Sequence, residues 1–397
     1  MVERGALYSM PYITRLAIQT FRNLGSVDIE PGASFNIFIG ENGSGKTSLL
    51  ESISVLAHGR SFRTHKYRRL IQYEALQLTL FARLQETERK EELQRTIGVM
   101  RDSKGGSLIK VDGSNAQSAA ELAQALPLLI MNASSFLLLE GAPKVRRQFF
   151  DWLVFHVEHE FRNAWKHYAR CVKQRNSLLR HAKITGPELD PWDREVARYG
   201  AVIERCRQSV FAKYQLAAAN SFGLFDFVAD LERTGHGLRF NYVDGWKLNN
   251  GEAPDAEQYY KVLQASRERD LKLGYTSIGS HKSDLQLHTG KIPAVESLSR
   301  GQQKSVITAL FLAQAQLFNE LSARHPVFLL DDLPSELDAR NLAVVEKALS
   351  AMASQVFITA ISEQALQTEW GGLSQQEFKM FHVEHGSIKD VPQLRSE

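Results

Sequence analysis

Residues 40–47 read Gly-Glu-Asn-Gly-Ser-Gly-Lys-Thr, and no other stretch restricts the fold of this chain as tightly. They follow the apolar run Phe35-Asn36-Ile37-Phe38-Ile39 and precede Ser48-Leu49-Leu50-Glu51-Ser52-Ile53, the order strand, glycine-rich loop, helix. The spacing fits the P-loop pattern G-x-x-x-x-G-K-[ST], in which backbone N–H groups and a helix N-terminus face phosphate oxygens. Gly40, Gly43 and Gly45 let the backbone come close, with Glu41, Asn42 and Ser44 between them. Lys46 supplies a point charge for the outer phosphates, and Thr47 offers a hydroxyl to Mg2+, which prefers oxygen ligands. Together with Ser48 these residues are the candidate nucleotide site, with Mg-ATP as the expected cofactor, and the expected fold class is α/β.

The chain has 397 residues, beyond the size at which one core keeps growing, so two lobes are expected. A net charge of +3 is too small to argue for a nucleic-acid partner, and any such claim must rest on local clusters. Cys171 and Cys206 stand in helix-like stretches without metal-ligand spacing and read as packing residues in a reducing cytosol. No apolar run reaches the length of a membrane span, so the expectation is a cytoplasmic protein with no membrane partner. Met10 precedes the first periodic segment, which makes the first nine residues a ragged extension or an over-long start whose deletion should leave nucleotide binding unchanged.

Along the chain, residues 12–29 read as two strands joined by a turn near Asn23 to Gly25. After the P-loop helix comes a basic loop holding Arg60, Arg63, Lys66, Arg68 and Arg69, either a solvated surface or a phosphate contact with nucleotide or DNA. Residues 76–111 alternate as strands, and a helix over Ala116 to Leu126 leads into the apolar run PLLIM. From about Pro143 the period becomes helical, predicting two long antiparallel helices broken at Gly186, Pro187, Asp190 and Pro191. Trp152, Phe155, Phe161 and Trp165 recur at core spacing rather than as a base-stacking platform. Strand-like pieces around GLRFNYVDGW and a charged helix from Ala256 to Lys272 follow.

Pro326 to Leu330 reads as a buried parallel strand ending in Asp331-Asp332, where a Walker B carboxylate belongs, which makes Asp331 the metal residue. Upstream, Ser299, Gly301 and Gln302 open a strongly apolar helix; alone this start is no more than a cap. Between a P-loop and the string DDLPSELD it resembles the signature of ABC-type ATPases. The strings LAIQTFRN, GRSFRT, GAPKVRRQFFDW, GSHKSDL, SRGQQK and LLDDLPSELD, occurring in that order, together resemble the RecF family of bacterial DNA replication and repair proteins, related to the heads of SMC and Rad50 proteins.

That resemblance implies an ABC-type head with a mixed sheet and flanking helices plus a mainly helical inserted lobe, divided as 1–142 (head, N-terminal part), 143–271 (insert) and 272–397 (head, C-terminal part). It implies ATP sandwiched between two heads: an ATP-dependent homodimer with Ser299, Gly301, Gln302, Gln303 and Lys304 acting in trans, and Ser335 and Asp338 in the D-loop at the seam. It implies DNA as the substrate surface, single-stranded or at gaps and junctions, RecR and RecO as partners, and a part in SOS induction. The basic loop, Arg146, Arg147 and the exposed faces of the insert are the candidate DNA contacts. Asp332 and Thr359 are the candidate catalytic residues, Thr359 standing where many ABC ATPases have a switch histidine. Two departures stand out. Asp332 replaces the glutamate typical of transporters, predicting a weak DNA-stimulated ATPase that acts as a switch. The Q-loop glutamine is not recognisable either: Ala133, between Asn132 and Ser134, takes its position. The alternative, an ABC importer subunit, leaves the insert of more than a hundred residues unexplained. A Rad50-like coiled-coil head needs longer helices than 35–40 residues, which span roughly 50–60 Å at 1.5 Å per residue.

Overall fold

The computed structural model describes residues 11–88, 91–180, 186–246, 253–332, 337–362 and 378–391. The first nine residues and Ser335 lie outside them. Two compact units are resolved, one of residues 1–135 and 315–397 and the other of residues 136–314, so residues 272–314, expected with the head, group with the second unit.

The first unit holds two sheets. One is antiparallel, with strands Leu24–Ile29, Tyr12–Phe21, Gln77–Glu88, Glu91–Asp102, Ser107–Val111 and Ser114–Asn115 in that spatial order. Its first long strand buries Ile13, Leu16, Ile18 and Phe21, an alternation that slips twice: where the register with Gln77–Glu88 shifts between Ile13 and Arg15, and before Phe21, where Thr20 has φ of 51°. The other sheet runs Ser387–Val391, Phe378–Glu384, Phe35–Ile39, Val356–Ala360, Val327–Leu330, Leu128–Met131, parallel except for the hairpin at its edge. Its central strands Val327–Leu330 and Val356–Ala360 are buried along their whole length because both faces are covered. Gln355, buried, stitches the sheets: its Oε1 accepts from the Ile13 N–H at 2.8 Å and its Nε2 donates to the Ile13 and Gly32 carbonyls.

The second unit is mainly helical. The first of the two expected helices is itself broken: Pro143–Val157 ends at Glu158, whose backbone is extended, and His159–Leu179 starts anew. The next helix, Gly186–Phe222, contains both prolines that were expected to break the chain. Pro187 is tolerated because the first-turn N–H groups have no intrahelical acceptor, whereas Pro191 lies inside the helix. Arg175 bonds Asp193, His167 stacks on Tyr199 and the Arg207 guanidinium lies over Trp165, so partner numbers rise on one helix as they fall on the other: the two run antiparallel. Of the four aromatics expected in the core, Phe161 is buried, and Trp152, Phe155 and Trp165 are half-buried. Both cysteines are free and buried. Among the described residues no helix is long and apolar enough to cross a membrane.

Candidate nucleotide-binding site

The P-loop lies between the strand Phe35–Ile39 and the helix Lys46–His58, whose N-cap is Gly45 and carries no side-chain cap. The first N–H groups of that helix are therefore left for an anion. Glycine is required by close approach at two positions. A Cβ at Gly40 would sit 2.3 Å from the Val383 carbonyl oxygen, and one at Gly45, where φ is +126°, would meet Leu24 at 2.9 Å. The Gly386 N–H bonds the Ser44 carbonyl at 3.0 Å, so the edge hairpin pins the loop from behind. The Ser44 hydroxyl oxygen is buried and has no hydrogen-bond partner, an orphan acceptor and donor at the loop's centre.

Lys46 is 6% exposed, and its ammonium donates to the Gly40 carbonyl at 2.5 Å and the Glu41 carbonyl at 3.0 Å. Burial lowers its pKa, opposed by the nearby charges of Asp332 and Asp331. Thr47 Oγ1 donates to Asp331 Oδ1 at 3.0 Å, joining P-loop and Walker B across 284 residues. Burial pushes the Asp331 carboxyl above the usual aspartate range, against the bonds from Thr359 and Thr47, with Asp332 pushing the same way as burial. A cavity of about 160 Å³ opens here, lined by Gly43, Gly45, Lys46, Thr47, Arg63 and Asp332 among others.

Thr359 is fully buried. Its hydroxyl donates to Asp331 Oδ1 at 2.9 Å and accepts from the Asp332 N–H at 2.9 Å, so it braces both acids from behind and does not line the cavity. Asp332 holds a left-handed backbone, φ +55°, which that bond secures.

In the second unit, Ser299 and Gln302 form a capping box: the Ser299 hydroxyl accepts from the Gln302 N–H at 3.3 Å, and Gln302 Oε1 accepts from the Ser299 N–H at 2.9 Å. Gly301 is open to its surroundings, with no atom within 4 Å of an added Cβ. Lys304 lies over the Phe136 ring. Gln303 turns inward, 4% exposed, and donates to the Val295 and Leu298 carbonyls. Asp338 caps the helix Ala339–Ala351 through the Asn341 N–H.

Residues 12–389 match the model of the RecF/RecN/SMC N terminal domain. The chain is 52% identical over 380 residues to the DNA replication and repair protein RecF of Teredinibacter turnerae, covering 96% of this chain and 97% of that protein. The chain belongs to the RecF family. The RecF of Pseudomonas aeruginosa PAO1 is 37% identical over 97% of this chain and 99% of its own length. A solved structure of the recombination mediator protein RecF-ATP in the RecFOR pathway has a TM-score of 0.82 at 24% identity, covering 98% of this chain and all of that one. An Smc head bound to a ScpA domain has a TM-score of 0.56 at 16% identity over 97% of this chain and 98% of its own. The fold is thus that of RecF and SMC heads.

Several RecF strings have architectural roles. GAPKVRRQFFDW and GSHKSDL interlock: Arg146 pairs with Asp284 at 2.7 and 3.0 Å, and Arg147 donates to the Ser283 carbonyl at 2.7 Å. Arg207, fully buried, takes Asp151 on two nitrogens and reaches the Ser280 carbonyl and Ser283 hydroxyl. Arg146 and Arg147 are thus each engaged by a partner within the unit. Arg60, Arg63, Lys66, Arg68 and Arg69 are all exposed, and of these Arg63 lines the cavity. Ala133, at the Q-loop position, is exposed in a single 3₁₀ turn after the strand Leu128–Met131.

Two residues escaped the sequence reading. Asn23 lines the cavity, donates to the Gly43 carbonyl at 3.1 Å and accepts from the Ser48 hydroxyl at 2.8 Å. Glu51 is fully buried on the P-loop helix and gathers Arg22 at 2.9 and 2.7 Å, Arg63 at 3.6 Å and the Ser61 hydroxyl, which fixes the basic loop beside the phosphates' place. A lone acid among Leu49, Leu50, Ser52 and Ile53 was its only mark in the sequence.

Proposed function

We propose that this DNA replication and repair protein binds Mg-ATP at the P-loop and uses it to close a two-headed dimer on DNA at gaps or single-strand junctions. The observation that carries this is the uncapped helix start and the Lys46 ammonium, opening together on one cavity. A triphosphate supplies the acceptors and negative charge that such a site lacks. The RecF-ATP description of the solved relative supports the choice of nucleotide. Thr47 and Asp331, two hard oxygen donors already in contact and one of them a desolvated acid, suit Mg2+. The ion, when bound, would neutralise charge on the phosphates. Asp332 would orient attacking water from a side chain one methylene shorter than glutamate, which makes turnover slow. Ser299, Gly301, Gln302 and Lys304 would meet the nucleotide of a second chain, with Ser335 and Asp338 near the seam. The proposed partners are RecR and RecO, a choice in keeping with the RecFOR pathway named for the solved relative, and the proposed setting is the cytoplasm.

Sedimentation of wild type and Lys46→Ala with ATP and gapped DNA tests the reading. An ATP-dependent dimer on DNA, lost in the variant, is expected; a constitutive dimer indifferent to ATP overturns it.

A further inference from the structure

Among the described residues the most exposed large apolar side chains are Tyr73, 90% exposed, and Leu76, 79% exposed. They stand three residues apart at the tip that follows the basic loop. Such exposure would suit a floppy turn, yet this one is anchored on both sides. The Arg22 N–H bonds the Leu70 carbonyl at 2.8 Å, the Gln72 N–H bonds the Thr20 carbonyl at 2.9 Å, and Phe21 bridges to Ile71. Beyond the tip, the Ser103 N–H bonds the Leu76 carbonyl at 2.9 Å. Three non-glycine residues at these contacts, Thr20, Arg22 and Glu74, hold left-handed backbones with φ of 51°, 57° and 66°. Left-handed backbone costs free energy and persists where the surroundings over-determine it. Here they fix the presentation of two apolar side chains to water.

The charges around the tip are mainly positive, with one acid, Glu74, at the tip itself. Residues 58–76 contain Arg60, Arg63, Lys66, Arg68 and Arg69 against a single acid, Glu74. Lys104 sits in the turn that receives Leu76, and the acid of that turn, Asp102, is engaged with the Lys104 and Gly106 N–H groups. That turn also lies by Tyr67: a Cβ at Gly105 would be 3.1 Å from its hydroxyl. An aromatic and an aliphatic side chain held out from a rim of cations match a nucleic-acid strand, phosphates on the rim and an unpaired base on the ring. A protein partner fits less well, because a stable interface needs about 20–30 residues a side, with its charges away from the centre.

We propose that Tyr73 and Leu76 form a base-contacting tip that engages unpaired bases of DNA, with Lys66, Arg68, Arg69 and Lys104 holding the flanking phosphates. This rests on the DNA-binding reading above and adds to it a means of distinguishing a gap from a continuous duplex.

The test uses the full chain, ATP and two probes of equal length, a blunt duplex and the same duplex with a short gap carrying 2-aminopurine. Binding is followed by anisotropy and base contact by 2-aminopurine fluorescence. The Tyr73→Ser/Leu76→Ser variant is expected to lose about tenfold in affinity for gapped DNA, with duplex affinity held within about twofold, and to abolish the wild-type change in 2-aminopurine signal. Arg68→Gln/Arg69→Gln is expected to weaken both probes alike and flatten the salt dependence. Gapped-DNA affinity and signal unchanged in the tip variant overturn the proposal, even if that variant then fails to bind a protein partner. Wild type that binds neither probe overturns the DNA-binding reading itself, a result distinct from failure of the tip.

Discussion

At the P-loop, Lys46 is withdrawn from water and its ammonium meets two backbone carbonyls; in the second unit, Arg207 is withdrawn as fully and meets a carboxylate on two sides, a carbonyl and a hydroxyl. Both are buried cations, and the difference lies in what balances them. Burial lowers the pKa of Lys46 more than the flanking aspartates restore it. Around Arg207 the burial cost is outweighed by Asp151, Tyr242 and Glu204, and its pKa is raised well above the ordinary value. One region keeps charge in reserve for a ligand, and the other has spent it on architecture. A buried charge with its partners inside the chain marks a structural network, and one with too few of them marks a binding site.

That contrast breaks first at Arg207. Replacing it by Met leaves the Asp151 and Glu204 carboxyls facing no guanidinium in a dry interior, and the expected loss is about 3–5 kcal/mol, read by urea unfolding followed by tryptophan fluorescence. Arg207→Met combined with Asp151→Leu should recover part of it, because it removes one of the two carboxyls left without a guanidinium. A loss within about 0.5 kcal/mol for the single change, the range of an ordinary surface substitution, would mean the network is not what holds these helices together.

Lys46→Ala should behave in the opposite way. Its partners are two carbonyls that water can serve, so unfolding should move by less than about 1 kcal/mol. Binding of a fluorescent ATP analogue, by contrast, should weaken about 10- to 100-fold, the range for a hydrogen bond to a charged group. Equal damage to stability and to binding would erase the distinction between the two regions.

Much of this was legible in the sequence, and the reason is locality. The P-loop and its helix, the strand before Asp331 and the helix after Ser299 are each written within about a dozen residues, where periodicity and turn chemistry are strong signals. What was not legible depends on contacts between distant segments. Asn23 reaches Gly43, Glu51 gathers Arg22 and Arg63, and the hairpin around Gly386 closes behind Ser44, each pairing set by tertiary packing. The break at Glu158 was hidden because the helical period continues on both sides of it. Asp190 and Pro191 read as a break, yet they lie within the first two turns of a helix. Thr359 was assigned from its place after a strand, and only the fold shows its hydroxyl turned to Asp331.

Asp331 gives the smallest effect and the sharpest one, because its sign is unusual for a site residue. Its folded pKa lies above the unfolded value, so between the two the native state keeps a proton that the unfolded chain releases. The stability this group contributes is full below the ordinary aspartate range, about 4, and is lost as pH rises through the raised value. At neutral pH the ionised carboxylate is therefore a liability until a cation joins it. Asp331→Asn keeps an Oδ1 that accepts from Thr47 and Thr359 and removes the charge. The variant should be about 0.5–1 kcal/mol more stable than wild type at neutral pH, raising the melting temperature by about 1–3 °C. The gap should close as the pH is lowered toward the aspartate range. Adding Mg2+ and ATP should reverse the order, stabilising wild type and leaving the variant where it was. A variant less stable than wild type in the absence of ligand would show that Asp331 is held for architecture, as Arg207 is, and that the two regions are built alike after all.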